Sequence, residues 1–182
     1  METKTVLFNP TAEKKKKTVK TVKEKKERVV TQTKRWGKHM IDSDFSADTQ
    51  LQLLKSFTEN NTIELSEKEK LLKRQICDKI QGYKGQDIHK SLYDQEKFVD
   101  FSWVINKLVE SSLICYYCKE SMHVWYKHAR EPKQWSLERI DNSIGHNKGN
   151  LEIACLSCNI RRKCMYHEKF RFTKQLVLTK VD

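Results

Sequence analysis

Apolar positions along the chain fall into two textures that meet near residue 112. Leu51, Leu54 and Phe57 recur at three-residue steps, which predicts a helix from about Asp48 to the ENNT stretch, Glu59 to Thr62. Ser66-x-x-Glu69 is a capping-box pattern, and Leu72, Ile76 and Ile80 follow at four-residue steps, so a second helix is expected from there to Gly82. The polar stretch Tyr83 to His89 (YKGQDIH) reads as a connector. A third helix is predicted over about Asp100 to Ser111, with Phe101, Val104, Ile105, Leu108 and Val109 toward a core. Beyond Ser112 the apolar runs become short. Met122 to Tyr126, Trp135 to Ile140 and Leu151 to Ala154 read as strands, Asn142 to Asn150 as a loop, and the basic run after Leu156 as a helix. No internal repeat is present. The expected fold class is α+β, with a basic tail over 1–38, a helical support region over 39–112 and a small strand-and-helix domain over 113–182.

Composition narrows this picture. A chain of 182 residues, 37% hydrophobic and 33% charged, suits one compact domain of about 100 to 150 residues with appendages, which excludes a large multidomain enzyme. No apolar run reaches the roughly 18 residues of a membrane span, and METKTVLFNP lacks the apolar stretch of a secretory signal. A soluble intracellular protein is expected, with no membrane partner. The net charge of +12 is divided as +9 over residues 1–38, −3 over 39–114 and +6 over 115–182. Two basic ends around a mildly acidic middle point to a polyanion, nucleic acid foremost, as partner. The tail from Glu13 to Lys38 has few large apolar groups and is expected to be disordered alone. It reads as a phosphate-contacting arm, as a nuclear-import signal within 14–35, or simply as a solubilising tail. The acidic middle reads as a packing scaffold or a partner-binding surface.

Six cysteines in a chain without a secretory signal are thiols or metal ligands rather than a disulfide framework. Four of them form two pairs, Cys115-Tyr-Tyr-Cys118 and Cys155-Leu-Ser-Cys158, separated by 36 residues. A two-residue gap lets a tight turn aim both thiolates at one ion, and two such turns complete a tetrahedral Zn²⁺ site. With four protein ligands the zinc would be structural, joining the third helix and the strands to the start of the last helix. Cys77 reads as a core residue, and Cys164 stays open.

The run Trp135 to Lys163, WSLERIDNSIGHNKGNLEIACLSCNIRRK, framed by Cys115-x-x-Cys118, resembles HNH nucleases of the ββα-metal class. More closely, it resembles the zinc-containing HNH proteins of large DNA viruses and phages. The resemblance covers roughly 100 residues, from about Gly82. It implies a metal-dependent DNA endonuclease that hydrolyses phosphodiesters by water attack. The family's acidic metal ligand falls on Glu138, where Asp is more usual, the loop-bracing Asn on Asn150, and the helix ligand on Asn159. Through Glu138 and Asn159 it implies a catalytic Mg²⁺ or Mn²⁺. The family's base, a His, falls on Arg139. A guanidinium stays protonated and cannot accept water's proton, so Arg139 is left to stabilise phosphate charge, as in some HNH restriction enzymes with Arg at this place.

Another side chain must then serve as base. His146, in the loop between the strands, is the first candidate, with His123, Tyr126 and His128 as alternatives; His167 reads as a metal ligand or a solvent-facing residue. Arg161, Arg162 and Lys163 follow Asn159 and are expected to contact phosphates. Tyr116, Tyr117, Trp125, Tyr126 and Trp135 read as core and wall, or, for one exposed tyrosine, as a surface on which an unpaired base stacks. The alternative to the enzyme is a catalytically inactive zinc-stabilised DNA-binding module of the same fold, or a zinc-stabilised protein-interaction domain. The substrate is expected to be duplex or branched DNA, with a homodimer serving a double-strand cut. The nucleus or a cytoplasmic viral factory is the expected place of action.

Overall fold

A computed structural model of the chain describes residues 40–59 and 65–176. The basic tail, its import signal and most of the ENNT break lie outside the described residues. The architecture is mixed helix and sheet. A 3₁₀ turn, Asp42–Phe45, leads into α1 (Ala47–Glu59), α2 (Glu67–His89) and α3 (Phe101–Glu110). The hairpin β1 (Trp135–Arg139) and β2 (Leu151–Cys155) follows, then α4 (Leu156–Arg162) and α5 (His167–Gln175). No helix among the described residues is long and apolar enough to cross a membrane.

The helices begin where their caps dictate. Ser66 Oγ accepts from the Glu69 amide while the Glu69 carboxylate accepts from the Ser66 amide, so two orphan donors of α2 are satisfied reciprocally. Asp100 caps α3 by accepting from the Trp103 amide at 2.7 Å. The periodic positions then meet in one core. Leu54 from α1, Leu72, Ile76 and Ile80 from α2, and Val104, Ile105 and Leu108 from α3 join Leu113, Trp125, Trp135, Ile153 and Phe170 without a seam at residue 112.

Two expectations fail here for identifiable reasons. The helix expected to stop at Gly82 runs on to His89, and YKGQDIH forms its last two turns. The buried phase continues through Tyr83 and Asp87, and this tertiary packing outweighs two glycines, each costing about 1 kcal/mol in a helix. The segment Met122 to Tyr126, expected as a strand, makes only one isolated bridge, His123 with Gln134. The amides of Val124 and Trp125 donate instead to Gln50 Oε1, at 2.7 and 2.8 Å, and Gln50 Nε2 donates to the Trp125 carbonyl. A wholly buried carboxamide of α1 thus replaces the neighbouring strand that a ladder would need.

The predicted hairpin forms. β1 and β2 pair antiparallel with Trp135 opposite Cys155, Leu137 opposite Ile153 and Arg139 opposite Leu151. The basic run after Leu156 is two helices instead of one: Lys163, with φ of 51°, ends α4, and α5 starts at His167.

Candidate functional site

The two cysteine pairs meet. Cys115 and Cys118 sit in a tight turn closed by the Cys115 amide donating to the Glu120 carbonyl and the Lys119 amide donating to the Cys115 carbonyl. Lys119 takes a left-handed φ of 58° to complete it. Cys155 ends β2 and caps α4, its Sγ accepting from the Cys158 amide at 3.4 Å, while Cys115 Sγ accepts from the Cys155 amide at 3.3 Å. The four Sγ atoms lie within 4.8 Å of one another, and Cys118 and Cys155 are 3.9 Å apart. Sulfurs on a tetrahedron with metal–sulfur bonds of about 2.3 Å stand roughly 3.8 Å apart, so the group can hold a metal ion. Its electrostatics agree. The hydrogen bond with Cys155 pulls the Cys115 thiol far down, whereas the same bond, seen from Cys155, together with burial pushes Cys155 up, and burial pushes Cys158 up. A cation is what would let all four ionise together. Cys77 is half-buried on α2, and Cys164 is exposed.

Next to this group, a cleft of ≈ 580 Å³ brings together Glu138, Arg139, His146, Asn159 and Lys163, beside Tyr83 and Lys90. His146 is the one histidine among its lining residues. The ring is 4% exposed and held on two sides. Nδ1 lies 2.7 Å from Asp87 Oδ1, and the ring packs on Tyr83 with centroids 4.5 Å apart. Asp87 Oδ2 also accepts from the His146 amide at 2.5 Å. Tyr83 is fixed in turn, its hydroxyl accepting from the Leu137 amide at 3.1 Å. A proton held on Nδ1 by Asp87 leaves Nε2 as the basic nitrogen. Burial lowers the imidazole below its usual 6.5 against the opposing pull of Asp87, which favours the neutral ring.

The loop before His146 is fixed by its neighbours. A Cβ on Gly145 would lie 2.4 Å from the Leu92 carbonyl and 2.8 Å from Asp87 Oδ2, so only glycine permits this approach to α2. Asn150 Oδ1 accepts from the Asp141 amide, and its Nδ2 donates to the Asp141 and Gly145 carbonyls at 3.0 and 3.1 Å. Arg139 Nη1 donates to the carbonyls of Asn142 and Ile144, both at 3.3 Å, which places part of the guanidinium in the loop and part at the cleft.

Asn159 Nδ2 donates to Ser136 Oγ and the Leu137 carbonyl, at 3.2 and 3.1 Å, which leaves Oδ1 as its available oxygen at the cleft. Glu138 is 4% exposed and ion-paired with Arg162 Nε through Oε1; its other oxygen has no hydrogen-bond partner among the described residues. Burial pushes this carboxyl up to about 7 despite Arg162.

Arg162 itself corrects the expectation that it contacts phosphate. It is 2% exposed, and it donates to the carbonyls of Met165 and Arg139, at 2.7 and 2.5 Å, and to Asn142 Oδ1 at 3.0 Å. The helix phase that exposes Arg161 and Lys163 turns Arg162 onto the β1 face carrying Glu138. The other base candidates stand apart. His123 is half-buried behind the 3₁₀ turn, His128 is exposed before Arg130, and His167 begins α5. Tyr126 lines an adjoining cavity rather than the cleft.

Asp87 and Tyr83 were not legible as site residues, because both lie on the stretch read as a connector. The available signal was the phase of α2: Ile80, Tyr83 and Asp87 continue one face, and an acid on a buried face calls for a partner. Comparison of the chain with protein-family models, with curated proteins and with solved structures finds no match.

Proposed function

We propose that the protein is a metal-dependent DNA endonuclease of the HNH type, hydrolysing phosphodiesters by water attack, with zinc held by Cys115, Cys118, Cys155 and Cys158. The observation that carries this is the Asp87-held His146 sharing one cleft with Arg139, Asn159 and Glu138. Four thiolates in a closed tetrahedral set favour structural Zn²⁺ over harder cations. Two oxygens, Asn159 Oδ1 and the second carboxylate oxygen of Glu138, fit a Mg²⁺ or Mn²⁺ that completes its shell with water and phosphate. When bound there, such an ion supplies charge to the scissile phosphate and to the departing 3′ oxygen.

The chain's own residues do the rest. Neutral His146 takes the proton of the attacking water on Nε2, and Asp87 stabilises the imidazolium that results. Arg139 keeps N–H groups beyond those on the loop and sets them against the phosphate as charge builds. Asn150 maintains the loop that carries His146. Lys163 at the cleft and the exposed Arg161 contact flanking phosphates. Double-strand cutting would take two copies or two sequential nicks. The basic ends suit action where DNA is, in the nucleus or a cytoplasmic viral factory.

A second reading, the non-catalytic DNA-binding module, is favoured by one feature: Glu138 is already neutralised by Arg162. Conversion of supercoiled plasmid to nicked and linear forms, with Mg²⁺ or Mn²⁺ and without added metal, separates the two. The enzyme nicks only with metal, and Asn159→Ala and His146→Ala abolish nicking while sparing DNA binding. Absence of metal-dependent nicking, together with salt-sensitive DNA binding, would establish the module instead.

A further inference from the structure

One wall of the cleft carries a cation that the hydrolysis leaves unused. The cleft runs along the free edge of β1, where Tyr83 of α2 takes the Leu137 amide and Asn159 of α4 takes the Leu137 carbonyl, so the two helices converge there. From α2 come Tyr83 and Gln86, with Lys90 at its C-terminal cap. The groups so far assigned to DNA phosphates, Arg139, Arg161 and Lys163, all belong to the hairpin half. Lys90 comes from the helical half.

Three observations distinguish Lys90 from a lysine that merely solvates a helix end. Its natural ion-pair partner is engaged elsewhere. Lys70, on the same helix, pairs with Glu67 three residues earlier at 2.8 Å, the usual arrangement on a helix surface. At that same offset Lys90 has Asp87, but this carboxylate is wholly buried and both of its oxygens are held by His146. The Lys90 ammonium has no hydrogen bond or ion pair among the described residues. Nor is it needed as a cap. The carbonyls of Gln86, Asp87 and Ile88 already accept from the amides of Lys90, Leu92 and Ser91, at 3.1, 2.8 and 3.1 Å. Finally, the cleft does not neutralise it. Lys90, Arg139 and Lys163 share a lining with one carboxylate, Glu138, which is paired with Arg162. Cations gathered in a concave site without counter-charge attract an anion. Lys90 stands close enough to the His146 ring for its charge to act there, which puts it at the reacting end of the cleft.

We infer that Lys90 grips a backbone phosphate of the bound DNA, making the end of α2 a second hold on the duplex besides α4. This contact depends on the DNA reading of the cleft, and it extends the DNA site from the hairpin half onto the helical half. A phosphate contact carries no sequence information, so Lys90 should strengthen binding to every duplex alike.

The test is the affinity of zinc-loaded full-length protein for a short labelled DNA duplex, measured without Mg²⁺ from about 50 to 200 mM salt. Losing one phosphate contact lowers the slope of log affinity against log salt by about 0.9. Lys90→Met should show that loss, its deficit against wild type shrinking about threefold across this range. Lys90→Arg should restore the wild-type slope, because a guanidinium also holds a phosphate. Lys55→Met removes the same charge from an exposed position on α1 that does not line the cleft, and should leave the slope unchanged. An unaltered slope in Lys90→Met, or an equal loss in Lys55→Met, overturns the inference and leaves the DNA reading standing. A wild-type protein whose binding does not respond to salt overturns both.

Discussion

The helical half and the hairpin half of this molecule share one core but differ in what else holds them. Helices α1 to α3 meet through aliphatic side chains, with Leu54, Leu72, Ile76, Val104 and Leu108 all essentially inaccessible. Apolar burial is non-directional, and long amphipathic helices offer enough of it. The hairpin half has only two strands of five residues each and a seven-residue helix, and it shares the same core through Tyr117, Trp125, Trp135, Leu137 and Ile153. To that shared core it adds directional bonds: four cysteine sulfurs converging, Glu138 on Arg162, Asn150 across its loop. The residues proposed for chemistry belong to this directional half, with Asp87 as the exception. Directional bonds fix side chains in place, which a reacting centre needs, whereas an apolar core fixes only the platform beneath them.

Breaking the cysteine cluster should have the largest effect. Chelation of a metal bound by these cysteines, or Cys155→Ser, should remove on the order of 10 kcal/mol. Circular dichroism should retain the helices while the fluorescence of Trp125 and Trp135 reports loss of the hairpin. Full retention of both signals in metal-free protein would show that the hairpin half has a sufficient core after all. Arg162→Met comes next, because it leaves Glu138 buried without its cation, at a cost of about 3–5 kcal/mol by urea unfolding. Adding Glu138→Leu should recover most of that loss, which isolates the ion pair from simple packing.

Leu72→Ala on the apolar side should cost about 2–4 kcal/mol, yet leave metal content per folded molecule unchanged. A drop in metal stoichiometry would mean that the two halves are not energetically distinct. The smallest effect concerns the joint between them. Because burial lowers the His146 pKa from 6.5, the unfolded chain takes that proton more readily than the folded one. Stability should therefore fall as pH drops through 6.5 toward the lowered folded value, and His146→Gln should flatten that decline in urea titrations.

Local rules made much of this protein legible before any tertiary structure. The Ser66-x-x-Glu69 cap, the three apolar helical faces, the hairpin and the two Cys-x-x-Cys turns all follow from interactions within a few residues, where spacing alone decides geometry. The resemblance to HNH nucleases, and not spacing, pointed to Asn150 as a brace and to His146 in the loop between the strands. Spacing was silent wherever a choice depended on a distant partner. Gln50 took the amides of Val124 and Trp125, more than 70 positions away, and so turned an apparent strand into an irregular segment. Asp87 met His146 across 59 positions, and only because α2 continued past Gly82. Arg162 read as a surface cation and became a buried partner of Glu138, since helix phase is set by what the helix packs against. Sequence periodicity encodes which face is buried; only the packed chain decides which groups meet there, because that depends on distance in space and on the burial that strengthens each contact.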